Sequence, residues 1–271
     1  MLKRSLTVLS IGGLAWGAGA ARTTAEQGQR PCVIHYVANA GVMFETDGTR
    51  FLIDAPIRDG IQPYATPTAR QRLAVESAQP PFDKVSAILI THWHEDHLSA
   101  EATAAQLRSS STTVLVSSRE IVDRVQRAGP DLAPARLVAL TPAPGESQRT
   151  LVGGVPVHVL RLRHTARRLP EQHVGFLIEG CRTVLHVGDA DTDPGNFALL
   201  RALPPVDVGV LPFWYVLDEP GRRFVRTSIR PSRIIGMHLP PAEAAAVSRK
   251  LSRVADLTLL TEPDQRVVLA R

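Results

Sequence analysis

The chain has 271 residues, of which 44% are hydrophobic and 21% are charged. This balance is typical of a soluble globular protein and excludes a wholly disordered chain, a collagen and a coiled coil. Two cysteines are too few for a disulfide-dense scaffold or a cysteine-rich zinc or iron–sulfur site. The net charge of +5 is compatible with an anionic small-molecule substrate, but 5% aromatic residues leave little for base stacking. We therefore expect a small-molecule substrate and no nucleic acid.

Residues 1–20 have the pattern of an export signal. Lys3 and Arg4 precede an uncharged apolar run over residues 5–17, and residues 18–20 form a small-x-small cleavage pattern. The run is shorter than the roughly 20 residues that span a bilayer, and an uncleaved anchor or a buried helix is the alternative. We expect a signal peptide over 1–20, a polar leader over 21–30 and a single domain over 31–271. The mature protein is then periplasmic or secreted, without a stable membrane anchor.

The first half of the chain alternates short strands with helices. Asp47-Gly48 lies between two apolar runs and favours a hairpin turn. Gly129-Pro130 ends the last helix of this half. The predicted elements are strands over 32–37, 41–45, 49–53, 85–90 and 113–116, and helices over 69–77, 100–107 and 118–127.

The second half repeats this order, with strands first and a helix near the end. The predicted strands cover 155–162, 174–179, 183–187, 206–211, 234–237, 257–260 and 266–270, and the predicted helix covers 241–254. Because both halves run from strands into helices, we expect a four-layer αββα sandwich of two mixed sheets flanked by helices, within one α/β domain.

The segment Thr-His-Trp-His-Glu-Asp-His over 91–97 directly follows an apolar strand and carries the strongest chemical signal. It holds four potential metal ligands, His92, His94, Asp96 and His97. In an extended chain His92 and His94 point to one side, whereas the adjacent Asp96 and His97 diverge and can serve different metals. Imidazole and carboxylate ligands suit zinc, and also iron or manganese. A charged surface turn is the alternative, but so dense a group of histidines favours a metal site.

This segment resembles the His-x-His-x-Asp-His signature of the metallo-β-lactamase-fold hydrolases. Three later residues fit the further ligand positions of that family: His164, Asp189 in a Gly-Asp pair after a strand, and His238 after a late strand. The segment 41–54 also resembles the family's opening hairpin. The resemblance covers nearly the whole mature chain, and within the superfamily it is similar to the broad branch of lactonases and phospholipase D-like phosphodiesterases.

The resemblance implies two divalent metal ions, zinc first among them, with manganese or iron as alternatives. His92, His94 and His164 would bind one metal, and Asp96, His97 and His238 the other, with Asp189 bridging them. Asp96 would be the catalytic residue that orients a metal-bound hydroxide or accepts its proton. That hydroxide would cleave an ester, lactone, amide or phosphodiester bond. An iron-dependent redox protein of the same fold and a non-catalytic metal-binding protein are the alternatives.

For several other residues the sequence leaves two alternative roles open. His173 competes with His164 as a ligand and would otherwise support a ligand or contact substrate. His186 is either a structural histidine or a proton donor. Asp54 either orients a ligand histidine through its other ring nitrogen or shapes a turn. Trp214 and Tyr215 either line the pocket mouth or pack in the core.

Arginines cluster in two segments, and the sequence does not determine their function. Guanidinium groups suit phosphate or carboxylate recognition, while a solvated basic face is the alternative. The clusters are Arg161, Arg163, Arg167 and Arg168, and Arg222, Arg223, Arg226, Arg230 and Arg233. Export would permit a disulfide between Cys32 and Cys181, but the spacing does not show whether they meet. The substrate and the oligomeric state are also open.

Overall fold

The structure is a computed structural model that describes residues 32–165 and 172–270. The predicted signal peptide and polar leader lie outside the described residues, as do Arg167 and Arg168. Within the described ranges, none of the helices has the length and apolar character needed to cross a membrane.

The first half of the chain forms a mixed sheet with helices on one face. Its strands are β1 (Val33–Ala38), β2 (Gly41–Thr46), β3 (Thr49–Ile53), β4 (Ala87–Ile90), β5 (Val114–Ser117) and β6 (Leu137–Ala139), and its helices are α1 (Ala69–Glu76), α2 (Ala100–Ser109) and α3 (Arg119–Ala128). The first three strands pair antiparallel. Asp47 and Gly48 close the β2–β3 hairpin with φ values of 50° and 84°, as a tight two-residue turn requires. The strands from β3 to β6 are parallel.

The second half repeats this plan. Its strands are β7 (Ser147–Val152), β8 (Val155–Arg161), β9 (Val174–Glu179), β10 (Thr183–His186), β11 (Val208–Pro212), β12 (Arg233–Met237) and β13 (Leu257–Leu259), and its helices are α4 (Glu219–Phe224) and α5 (Ala244–Leu251). The strands from β7 to β10 are antiparallel, and those from β10 to β13 are parallel. The last strand, β14 (Arg266–Val268), returns to pair with β1 and completes a first sheet of order β14-β1-β2-β3-β4-β5-β6.

Three apolar clusters separate four layers. One fills the space between the two sheets and contains Phe44, Phe51 and Phe176. A second packs α2 and α3 against the outer face of the first sheet, and a third packs the later helices against the outer face of the second. Because each sheet buries both faces, its central strands are continuous apolar runs. The predicted αββα sandwich is confirmed.

Some elements differ from the prediction. β6 and β7 were not predicted, because β6 is only three residues long and β7 is a largely polar edge strand, Ser-Gln-Arg-Thr-Leu-Val. Short helical segments at Pro194–Ala202, Phe213–Val216 and Val225–Ile229 also lacked a sequence signal, and α4 with them. The predicted helix over 241–254 is a 3₁₀ turn, Pro241–Glu243, followed by α5.

Cys32 and Cys181 form a disulfide, which answers the question that the sequence left open. Their Cα atoms are 6.0 Å apart, within the usual range for a disulfide. Cys32 precedes β1 in the first sheet, and Cys181 lies in the turn between β9 and β10 of the second. The bond therefore ties the two sheets together across the interior.

Replacing both cysteines with serine should lower the free energy of unfolding by about 2–4 kcal/mol, because a cross-link between residues 149 positions apart restricts the unfolded chain. Urea denaturation of the oxidised protein and the double variant measures this difference. Reduced wild-type protein is the control and should match the variant. Equal denaturation midpoints for the variant and the oxidised protein would contradict the prediction.

Candidate metal centre

The metal-ligand candidates lie where strands end. Strands that run in the same direction bring their carboxyl ends to one edge of a sheet, where sites form. Asp54 follows β3, the 91–97 segment follows β4, His164 follows β8, Asp189 follows β10 and His238 follows β12. Backbone hydrogen bonds join the two sheets at this edge. The N–H of His238 donates to the carbonyl of Asn39 at 3.0 Å, and that of Val174 donates to the carbonyl of Thr91 at 2.9 Å.

All of the predicted ligands come together at this edge. They form three overlapping groups, within each of which one ligand atom per residue lies within 4.8 Å of the others. The groups are His92, His94 and His164; His92, His97 and Asp189; and Asp96, His97 and His238. The first and third groups match the two predicted metal-binding triads.

Asp189 lies between these two triads. Its Oδ1 atom is 3.3 Å from Nε2 of His97, and its Oδ2 atom is 3.3 Å from Nε2 of His238 and 3.7 Å from Nε2 of His164. Asp96 faces the same space, with Oδ2 3.2 Å from Nε2 of His238. Asp189 thus has the position expected of a bridging ligand.

The donor atoms fit a pair of divalent cations. Nε2 of His97, Nε2 of His238 and Oδ1 of Asp189 are buried, and none makes a hydrogen bond within the described part of the chain. Buried polar atoms in proteins nearly always have a hydrogen-bond partner. These three atoms face a common space, where a bound cation would serve as their partner. Imidazole nitrogens and carboxylate oxygens are ligands for zinc, manganese and iron.

Asp54 holds His97 in place. Its Oδ2 atom accepts from Nδ1 of His97 at 2.8 Å and from the hydroxyl of Thr91 at 2.6 Å, while Oδ1 accepts from the backbone N–H of Thr91 at 2.7 Å. A carboxylate on one ring nitrogen directs the other nitrogen of a histidine toward a metal. Here it leaves Nε2 of His97 facing Asp189. Asp54 thus has the position expected of a residue that orients a metal-binding histidine.

His173 and His186 support the Asp189 loop. Nε2 of His173 accepts the backbone N–H of Asp189 at 3.1 Å. The His173 ring lies 5.0 Å from that of His92, but His164, and not His173, forms a ligand group with His92 and His94. Nε2 of His186 donates to the carbonyl of Ala40 at 2.9 Å, and its Nδ1 accepts the N–H of Gly188 at 3.3 Å. Both nitrogens of His186 thus bind backbone groups, as expected of a structural histidine.

Three further residues contact the centre. Nδ2 of Asn39 donates to Oδ2 of Asp96 at 3.0 Å and to its carbonyl at 3.2 Å. The rings of Tyr64 and Trp214 meet that of His238 edge-on, at centroid distances of 4.1 and 5.1 Å. Asn39 and Tyr64 were missed, because an asparagine before a glycine turn and a tyrosine in an irregular stretch carry no ligand pattern. Trp214 also packs against the apolar cluster outside the second sheet, and Tyr215 is fully buried.

Charge divides the ligands into two sets. Burial lowers the pKa of His92 and His94 and lowers that of His164 to about 4, so these imidazoles are neutral at pH 7 and able to bind a cation. Burial would also lower the pKa of His97, but the Asp189 and Asp54 carboxylates outweigh it and raise that pKa well above the usual range. In His238, Asp189 and Asp96 likewise outweigh burial and raise the pKa.

Cation binding should release protons at neutral pH, because His97 and His238 must lose theirs to become ligands. Their raised pKa values mean that affinity falls as pH is lowered through neutrality, while proton release declines toward zero at alkaline pH. Zinc titration by calorimetry, in two buffers with different ionisation enthalpies, gives the number of protons released. A binding enthalpy independent of the buffer at pH 7 would contradict this expectation.

Asp54→Asn should weaken zinc affinity by about 10–100-fold, because His97 loses the carboxylate that orients it. Calorimetric titration measures the affinity. The matched control is Asp47→Asn, which makes the same chemical change at an exposed hairpin turn. Equal affinities in the two variants would show that Asp54 does not support the centre.

Comparison with known proteins identifies the family of the chain. Residues 49–261 match the family described as the Beta-lactamase superfamily domain. Among curated proteins, none matches the sequence. Similar solved structures include Igni18, a metallo hydrolase from Ignicoccus hospitalis, at 18% identity and a TM-score of 0.58, with 88% of this chain and 98% of that chain covered.

Two further structures share the fold. An isothiocyanate hydrolase from Delia radicum gut bacteria has 15% identity and a TM-score of 0.62, and covers 88% of this chain and 99% of its own. CmlA, a diiron β-hydroxylase from Streptomyces venezuelae, has 16% identity and a TM-score of 0.59, and covers 89% of this chain and 54% of its own. With its αββα sandwich, its His-x-His-x-Asp-His segment and a family match over most of its length, the chain belongs to the beta-lactamase superfamily.

Proposed function

We propose that the protein is an exported metal-dependent hydrolase with two divalent cations, zinc first among them. It would cleave an ester, lactone, amide or phosphodiester bond in a small molecule, an anionic one being compatible with its charge. The observation that carries this proposal is the pair of ligand triads on either side of Asp189, each with one ligand atom per residue within 4.8 Å of the others. The hydrolases among the structural neighbours support it. The Cys32–Cys181 disulfide supports export, because such bonds persist in oxidising compartments.

A pair of divalent cations lowers the pKa of water and polarises the bond to be broken. The chain's own residues prepare the water. Asp96 is held by Asn39 and faces His238. Burial would raise the pKa of Asp96, but His238 and His97 outweigh it and lower that pKa. Asp96 is therefore a carboxylate at neutral pH and can accept a proton from the attacking water.

The aromatic residues beside His238 provide substrate contacts. Tyr64 and Trp214 meet the His238 ring edge-on, and both side chains are partly exposed. Burial, together with the Asp189 and Asp96 carboxylates, raises the pKa of Tyr64, so its hydroxyl keeps its proton and can donate a hydrogen bond. These residues would orient the substrate on the side of the Asp96, His97 and His238 triad.

Iron-dependent oxidation is the second candidate. It is favoured by the mixed imidazole and carboxylate ligand set, which also suits iron, and by a structural neighbour that is a diiron β-hydroxylase. The metal content of the purified protein and its oxygen consumption separate this candidate from hydrolysis.

The deciding experiment is turnover of a chromogenic panel, with and without added zinc or manganese. The panel holds a phosphodiester, a lactone, a carboxyl ester, a thioester and a β-lactam. Activity on one bond class should disappear on chelation and return with metal. Metal bound without activity on any substrate, together with substrate-dependent oxygen consumption, would favour the redox candidate instead.

His92→Ala and Asp96→Ala should each lower kcat/KM by more than about 100-fold, beyond the usual effect of losing a residue that only supports a ligand. Thermal unfolding of the metal-free proteins should show that both variants stay folded. The matched control is His158→Ala. His158 lies on β8, forms a 2.7 Å hydrogen bond with Glu179 on β9 and does not belong to the three ligand groups. Full metal-dependent activity in His92→Ala would overturn the site assignment.

A further inference from the structure

A separate cavity of about 570 Å³ opens on the helix-covered face of the second sheet. It lies between α4, the segment leading into β12 and the carboxyl end of α5. Its apolar lining includes Val216, Val225, Ile234 and Val254. Both the volume and the apolar base are typical of sites for small organic molecules.

The rim of this cavity carries an excess of positive charge. Arg222, Arg226, Lys250 and Arg253 line it, against Asp256 as the single lining carboxylate. Arg222 and Arg226 share one partner, Glu219, at 3.2 and 2.6 Å. Within the described residues, Lys250 and Arg253 have no ion-pair partner. These two side chains are exposed and available to a ligand.

The backbone beside the cavity is irregular. Val225–Ile229 forms a π-helical turn directly after α4, and it ends at Arg230 with a φ of 60°. Both features are energetically unfavourable for ordinary residues, and π-helical turns are frequent at functional sites. This turn presents Val225 and Arg226 together to the cavity, one to its apolar base and the other to its charged rim.

The cavity does not belong to the metal centre. Ser232 and Ile234, at the amino end of β12, line it, whereas His238 follows the carboxyl end of the same strand. Five strand residues place about 15 Å between the two ends. A molecule in this cavity is therefore not the one that reacts beside His238.

We propose that this cavity binds a small amphiphilic anion, with one carboxylate or phosphate group and a short apolar chain, as a free molecule. The anionic group would pair with Lys250 and Arg253, and the chain would lie against the valine and isoleucine side chains of the base. A concave site takes up the chain of a free molecule, whereas a flat basic surface suits a membrane. The inference is independent of the proposed hydrolase activity.

The test is calorimetric titration with sodium octanoate and with octyl phosphate, with octanamide as the uncharged analogue and with phosphatidylglycerol vesicles as the membrane probe. The variant Lys250→Glu/Arg253→Glu reverses the charges on the rim. The matched control, Arg201→Glu/Arg249→Glu, makes the same net charge change at exposed residues that do not line the cavity. A Val225→Asn variant tests the apolar base, and thermal unfolding checks that each protein is folded.

We expect saturable binding of at least one of the two anions with a stoichiometry of one. The rim variant should weaken it by roughly tenfold, as the loss and reversal of two exposed charges implies, while the control variant binds as the wild type does. Equal loss in both charge variants, or equal binding of octanamide, would overturn the proposal. So would binding only to phosphatidylglycerol vesicles, which would make this face a membrane surface. Absence of binding by all three free ligands would also overturn it.

Discussion

The buried carboxylate of Asp189 is the interaction on which the rest of the centre depends. A charge taken out of water is strongly unfavourable unless other groups compensate for it. Burial would raise the pKa of Asp189, but His97 and His238 outweigh it and hold that pKa well below the usual range. These two histidines come from different sheets, after β4 and β12. The carboxylate therefore draws the ends of both sheets together, while burial keeps the imidazoles of His92, His94 and His164 neutral beside it.

The backbone around Asp189 is held in unfavourable conformations. Asn39, Asp54, Gly188 and His238 have φ values of 51°, 46°, 54° and 62°. For the non-glycine residues each such conformation costs on the order of 1–3 kcal/mol and persists only where surrounding contacts enforce it. A Cβ atom at Gly188 would lie 2.6 Å from the hydroxyl oxygen of Thr91, so the close approach of that loop to the 91–97 segment requires glycine. Backbone strain is therefore concentrated at residues that carry or position the candidate metal ligands.

Each half of the chain contributes candidate ligands to the centre, and each also contributes residues that hold those ligands in position. The first half provides the 91–97 segment with Asp54 and Asn39, whose carboxylate and amide hold His97 and Asp96. The second half provides His164, Asp189 and His238, with His173 and His186 binding the backbone beside Asp189. The 3₁₀ segment Phe213–Val216 connects two distinct regions, since Trp214 meets His238 and Val216 lines the basic cavity. A molecule bound in the cavity would therefore contact the same segment that carries Trp214.

The sequence by itself predicted the αββα architecture and the ligand candidates within 91–97, because continuous apolar runs mark buried strands and the spacing within 91–97 depends only on local chain geometry. The later candidates, His164, Asp189 and His238, came from the resemblance to the metallo-β-lactamase-fold hydrolases. The sequence left His173 as an alternative to His164, because only the tertiary positions of the two side chains relative to Asp189, His92 and His94 separate them. The contacts of Asn39 and Tyr64, and the Cys32–Cys181 disulfide, also came from the tertiary structure. These contacts join residues that are far apart in the chain, so their formation depends on how the two sheets pack, which no local pattern records.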